Sequence, residues 1–137
     1  MAPLKQKGDL AELMVAADLR RRGYKLAFPY GEDWDYDLII ERHGKLERIQ
    51  VKYCASDGCV VPVKCYSHSL TNGRVRATKR YTADTVDWIA VWDATSGTAY
   101  YVSSSVFDGH SQLSLRLAPT RNNQTRGIRN AADFLEI

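Results

Sequence analysis

The sequence predicts an α/β domain, with one N-terminal helix followed by a strand-rich remainder. Three observations carry this. Residues 8–22 hold no Pro and no internal Gly, and their apolar residues recur at helical spacing. Arg42-His43-Gly44-Lys45 separates two stretches rich in Ile, Leu, Val and Tyr. Further on, Trp88-Ile89-Ala90-Val91-Trp92 is a short, wholly apolar run of strand length. With 137 residues, 45% of them hydrophobic, the chain is long enough for a real core and most simply forms one domain, 1–137.

The helix is expected from Gly8 to Arg22. Leu10, Leu13, Met14 and Ala17 form one apolar stripe, and Glu12, Val15, Ala16 and Leu19 form a second that is apolar apart from one carboxylate. Glu12 therefore sits at the edge of the buried surface, away from Asp18 and the Arg20-Arg21-Arg22 run. A surface glutamate in a local ion pair is the alternative. Gly23 suits the helix stop, and Tyr24 to Tyr30 provides the first strand.

Two strands, Trp34 to Glu41 and Leu46 to Tyr53, then fold back on each other. The central His-Gly pair suits a two-residue turn that needs positive φ. Pairing Arg42 with Lys45 puts Leu38 opposite Ile49 and Asp37 opposite Gln50. Residues two apart on a strand share a face, so Asp37, Gln50 and Lys52 point one way. Tyr36, Leu38, Ile40, Ile49 and Val51 point the other way as a core face, and a one-residue slip would break both sets. The polar set is either an exposed hairpin face or a site. Ile39, on the same side as Asp37, implies partial cover, under which a carboxylate and an ammonium need partners or a metal.

Val60 to Ser67 is strand-like, and Asn72-Gly73 is a turn signal before Arg74 to Lys79. Tyr81-Thr82-Ala83-Asp84 is expected to open a short helix before the Trp88 to Trp92 strand. Trp88 and Trp92 share strand parity, which favours a core or subunit-contact role over base stacking. Gly97 closes a turn into Thr98 to Val102, Ser103-Ser104-Ser105 begins a helical turn, and Leu113, Leu115 and Leu117 alternate as a last strand. Pro119 to Gln124 reads as a polar loop, and Asn130 with Asp133 caps a short C-terminal helix.

The order Lys7-Gly8-Asp9…Glu12, Gly23-Tyr24, Asp35-Tyr36-Asp37-Leu38 and Ile49-Gln50-Val51-Lys52 resembles the PD-(D/E)xK nuclease superfamily. Within it the chain looks most like the group I intron-associated endonucleases, with a more distant likeness to archaeal Holliday junction resolvases. Tyr81 and Asp87 echo a Tyr…Val-Asp stretch of that group, and the Arg/Asn/Gln-rich tail resembles its end. The resemblance implies a restriction-endonuclease-like α/β core, in which the N-terminal helix precedes a three-stranded antiparallel meander, then a helix and a further strand, giving a central mixed sheet with flanking helices. It implies catalytic roles for Glu12, Asp37, Gln50 and Lys52. Tyr36 stands where the motif name has proline. Gln50 stands where an acid is usual, as in the Gln-x-Lys version of the intron-associated branch.

Phosphodiester hydrolysis accounts for these residue types. A hard cation prefers oxygen donors, and Asp37, the Gln50 side chain, the Val51 carbonyl and Glu12 offer them, which makes Mg²⁺ the expected cofactor, with Mn²⁺ able to substitute. Lys52 would orient or deprotonate a water and stabilise the transition state as a positive charge. The expected activity is thus a metal-dependent DNA endonuclease. A Holliday junction or branched-DNA resolvase and a DNA-binding protein that has lost cleavage are the alternatives.

A net charge of +3 is modest, but its distribution is uneven. Arg74, Arg76, Lys79 and Arg80 form one basic patch, and Arg116, Arg121, Arg126 and Arg129 occur without an acid between His110 and Asn130. Solvated basic surface is the plain explanation of each patch. In a nuclease, Arg74, Arg76, Lys79, Arg80, Arg121, Arg126 and Arg129 are the expected contacts to duplex or branched DNA. Cutting both strands favours a homodimer, with a tetramer allowed by the resemblance. Cys54, Cys59 and Cys65 could join His68 around zinc, but their spacings lack paired knuckles, and reduced cysteines packed in or near strands are preferred. With no leading signal peptide and no long apolar run, a cytoplasmic, DNA-associated protein without membrane insertion is expected.

Overall fold

The computed structural model describes residues 3–71, 74–119 and 127–137, with the backbone alone for 69–71 and 74–76. The helix α1 spans Leu4–Arg21, starting four residues before the expected boundary. It stops at Gly23, whose φ of +93° is a left-handed conformation that glycine adopts without a Cβ penalty. Its buried residues are Val15, Ala16 and Leu19 of the second apolar stripe together with Ala11, while Glu12 of that stripe is half-buried. The stripe of Leu10, Leu13, Met14 and Ala17 faces outward, with Leu13 65% exposed. Small alanines on the inner stripe let the helix axis approach the sheet more closely than Leu and Met would.

Three antiparallel strands follow as the expected meander: β1 (Lys25–Ala27), β2 (Leu38–Arg42) and β3 (Lys45–Cys54). The hairpin register is the one the apolar alternation dictates, with Arg42 opposite Lys45 and Leu38 opposite Ile49. His43 and Gly44 both have positive φ, as a two-residue turn matched to strand twist requires. β2 begins later than expected, because Trp34 to Asp37 form a loop ahead of it.

Between β3 and the next sheet strand, where the resemblance implies a helix, the chain forms β4 (Val60–Lys64), β5 (Tyr66–Thr71) and β6 (Arg74–Arg80). The alternating Val61 and Val63, both fully buried, favour a strand there. The expected helix at Tyr81 to Asp84 is a turn closed by the Thr85 and Val86 N–H groups on the Thr82 carbonyl. The Asn72-Gly73 turn lies outside the described residues. β7 (Trp88–Asp93) runs parallel to β3, and β8 (Thr98–Ser103) returns antiparallel, giving the mixed sheet order β1-β2-β3-β7-β8.

The sheet is covered on both faces. α1 packs on the face carrying Leu38, Ile40, Ile49, Val51, Ala90, Trp92 and Tyr101. The other face, with Ile89, Val91, Tyr100 and Val102, is covered by β4 paired with β9 (Gln112–Arg116) and by the short helix α2 (Ser104–Phe107). The final 3₁₀ turn (Ala131–Phe134) adds Ala131 to this second core. Asn130 precedes that turn but makes no side-chain capping bond, so the expected cap is a position without the hydrogen bond. β5 and β6 pair with each other as a separate two-stranded ribbon.

Candidate active site

Strand parity brings Gln50 and Lys52 to the sheet face opposite α1, since Ile49 and Val51, which alternate with them, are buried under the helix. Asp37, one residue before β2, brackets Gln50 from the neighbouring strand. Its N–H donates to the Ile49 carbonyl at 2.8 Å, and its Oδ2 accepts the Val51 N–H at 2.9 Å. The side-chain amide of Gln50 lies 3.4 Å from the Val51 carbonyl oxygen. The hairpin thus sets the Asp37 carboxylate on the Val51 backbone, with the Gln50 amide nitrogen turned toward the Val51 carbonyl.

Glu12 on α1 faces the same cleft as Asp37. Both line an open cleft of about 260 Å³, walled by Phe28, Tyr36 and the loop residues Glu32, Asp33 and Trp34. Asp33 takes a positive φ of 66°, uncommon for a residue with a Cβ, within this loop. Burial raises the Glu12 carboxyl to about 7, with further upward push from the charges of Asp37 and Asp9. Burial also raises Asp37, against the lowering effects of the Val51 N–H and the Lys52 charge. Two carboxylates therefore repel each other across a partly desolvated cleft.

Lys52 is held below the usual lysine range, first by burial and then by the nearby Lys64 charge, while Asp37 pulls it up. Its ammonium donates to the Tyr66 carbonyl at 3.0 Å and lies 3.4 Å from the Tyr81 hydroxyl. Tyr66 and Tyr81 were not candidate site residues. An acceptor on the main chain leaves no sequence signature, and Tyr81 reads in sequence only as part of the connector.

The fit to a cation can be judged from the donors. Among the described residues no three His, Cys, Asp or Glu side chains cluster as a metal site. Of the residues expected to hold the cation, Glu12 and Asp37 are the acids and Gln50 and Val51 offer neutral oxygens, while Glu32 and Asp33 stand on the wall of the same cleft. An all-oxygen set with an unrelieved carboxylate pair suits Mg²⁺ or Mn²⁺ better than zinc. Cys54 and Cys65 are buried and free, the former pushed up to about 12 by burial, while Cys59 is exposed. His68 places its Nδ1 2.8 Å from the Thr78 hydroxyl, on the ribbon.

The expected DNA contacts divide. Lys79 and Arg80 are exposed on β6, and Lys79 forms an ion pair with Asp35, two residues before Asp37. Arg129 is half-buried, and its carbonyl accepts the Arg116 N–H. Arg121 and Arg126 lie outside the described residues, as do the side chains of Arg74 and Arg76. Two further networks escaped sequence reading. Arg48 grips Asp87 through its backbone and guanidinium, tying the start of β3 to that of β7. Asp93, fully buried, accepts from the Ser56 N–H and hydroxyl, the Thr95 N–H and the Ser96 hydroxyl; burial opposes its charge, yet these bonds hold its carboxyl below the usual value.

A helix-covered mixed sheet with an Asp and a Gln-x-Lys on one hairpin defines the restriction-endonuclease-like class of α/β fold. The family model described as PD-(D/E)XK endonuclease matches residues 3–137, and the chain belongs to that family. Its fold is similar to that of a bacterial homing endonuclease, I-Ssp6803I, with a TM-score of 0.74 and 22% identity over 97% of this chain and 88% of that one. No curated protein matches the chain. No helix among the described residues is long and apolar enough to cross a membrane.

Proposed function

We propose that this protein is a Mg²⁺-dependent endodeoxyribonuclease that hydrolyses DNA phosphodiester bonds at Glu12, Asp37, Gln50 and Lys52, with Mn²⁺ able to substitute. The observation that carries this is the bracket of Asp37 around Gln50 beside a half-buried lysine, in a chain of the endonuclease family. Asp37, Glu12, the Gln50 side-chain oxygen and the Val51 carbonyl would hold the cation. When bound, Mg²⁺ lowers the pKa of a coordinated water and offsets charge on the phosphorane. Asp37 is kept in place by the Val51 N–H, so it presents its other oxygen in a fixed direction. Lys52, depressed by burial, is poised to take a proton from the attacking water and to stabilise the scissile phosphate as its cation. Exposed Lys79 and Arg80, together with Arg74, Arg76, Arg121, Arg126 and Arg129, would contact phosphates of duplex or branched DNA.

Purified protein incubated with linear duplex, four-way junction and single-stranded DNA, in Mg²⁺ or EDTA, tests the reading. Metal-dependent internal cuts in duplex are the expected result. Cuts confined to the junction would make it a resolvase, and binding without cutting under any metal would make it a DNA-binding protein without nuclease activity.

A further inference from the structure

Among the described residues the ammonium of Lys52 forms no ion pair with a carboxylate, and its two hydrogen-bond acceptors there belong to the neck of the β5–β6 ribbon: the Tyr66 carbonyl at 3.0 Å and the Tyr81 hydroxyl at 3.4 Å. Tyr66 is the first residue of β5, and Tyr81 directly follows the last residue of β6. The neck is closed by the Tyr81 N–H donating to the Cys65 carbonyl at 2.8 Å, and by the pairing of Tyr66 with Arg80. Tyr81 is itself 3% exposed and belongs to the core cluster that holds Val63, Val86 and Val91, so its ring has little room to move. Its centroid lies 5.0 Å from the ammonium, farther than the hydroxyl, which puts the cation on the hydroxyl side of the ring. A lysine stem has four rotatable bonds, and holding its charged end at one point needs such fixed acceptors.

We propose that the ribbon neck positions Lys52 for the reaction, with Tyr81 as the positioning residue. The inference rests on the nuclease reading for what Lys52 does, and on geometry alone for what holds it. It also couples the ribbon to the site, because a second tie, the Lys79–Asp35 ion pair, joins the ribbon to the loop that carries Asp37. Any shift of the ribbon against DNA would therefore move the acceptors of Lys52 and the anchor of Asp37 together.

Two measurements on the full chain test this. In the first, the Lys52 ε-methylene is followed by NMR in ¹³C-lysine-labelled wild type, Y81F and Y81L. Wild type and Y81F should share a ring-shifted signal that Y81L loses; a Lys52 signal unaffected by Y81L overturns the proposal. In the second, single-turnover cleavage and duplex affinity in Ca²⁺ are compared. Y81F should cut several-fold slower and Y81L about 10²-fold slower, as misplacement of a catalytic group does, with affinity unchanged. A loss that appears in affinity rather than in rate overturns it. Should Y81L melt early, Y81M fills more of the ring's space. A wild type that cuts no DNA while showing the expected NMR pattern would sink the nuclease reading and leave the neck's hold on Lys52 standing.

Discussion

Asp37 carries more of the site than any other residue, since it faces Glu12, brackets Gln50 and pulls on Lys52. D37A and K52A are expected to abolish cleavage while leaving most duplex affinity, because distributed basic contacts dominate non-specific binding. Filter binding beside a cleavage assay checks both, and D37A cutting at the wild-type rate under limiting metal would remove Asp37 as the anchor. Q50E, which restores the commoner acid, should retain or improve metal affinity. Glu12 gives a pH prediction for the metal-free protein. Its carboxyl sits at about 7 in the fold against 4.5 ordinarily, so the folded state keeps a proton that the unfolded chain has lost across that window. Stability from this group is greatest below the window and declines as pH rises through it. Asp87 and Asp93, both lowered, act oppositely and only at more acid pH, so they do not mask the effect. Urea midpoints of metal-free wild type should fall between pH about 5 and about 7.5, and E12Q should flatten that fall. An unchanged slope in E12Q would show that the Glu12 carboxyl is not raised by its burial in the cleft.

At the scale of elements, the hairpin was legible because one register satisfied two patterns, the apolar set and the polar set, and a His-Gly turn fixed it. The edge position of Glu12 was legible for the same reason, as the one carboxylate in an otherwise apolar stripe. Which stripe of α1 is buried was less so. Leucines and methionine outweigh alanines on any hydrophobicity scale, yet the alanine-rich stripe packs inward because it fits close against the sheet. L19A is therefore expected to cost about 2–5 kcal/mol, and L13A within about 0.5 kcal/mol of nothing, by urea unfolding of each variant. Equal losses would mean that Leu13 is covered in solution. The connector resisted reading because its strands pair with partners distant in sequence: β4 with β9, and β5 with β6 on a ribbon outside the main sheet. The resemblance supplied a helix there, and nothing local in Tyr81 to Asp84 argued against it until Val86 and Tyr81 were seen to fill the second core. The Asp93 network was hidden similarly, since Ser56 and Asp93 are linked only by the parallel pairing of β3 with β7.

For the whole molecule, a subunit with one Asp37 and one Lys52 would, on the proposed nuclease reading, attack one strand of a duplex at a time. Its two strands run antiparallel and are related by local two-fold symmetry, so a two-fold pair of subunits presents an equivalent cleft to each. A homodimer, or a tetramer built from such pairs, is accordingly the expected working form. The surface has apolar material to spare: Leu10, Leu13, Phe28 and Trp34 are exposed, the last two beside the cleft. Light scattering at several protein concentrations, with and without duplex, should give at least twice the monomer mass. Cleavage of a supercoiled circle should then yield linear product without accumulation of the nicked circle, as two cuts in one encounter require. A protein that stays monomeric on DNA and still makes concerted double-strand cuts would refute the division of one strand to each subunit, and would require a single cleft to turn over twice before release.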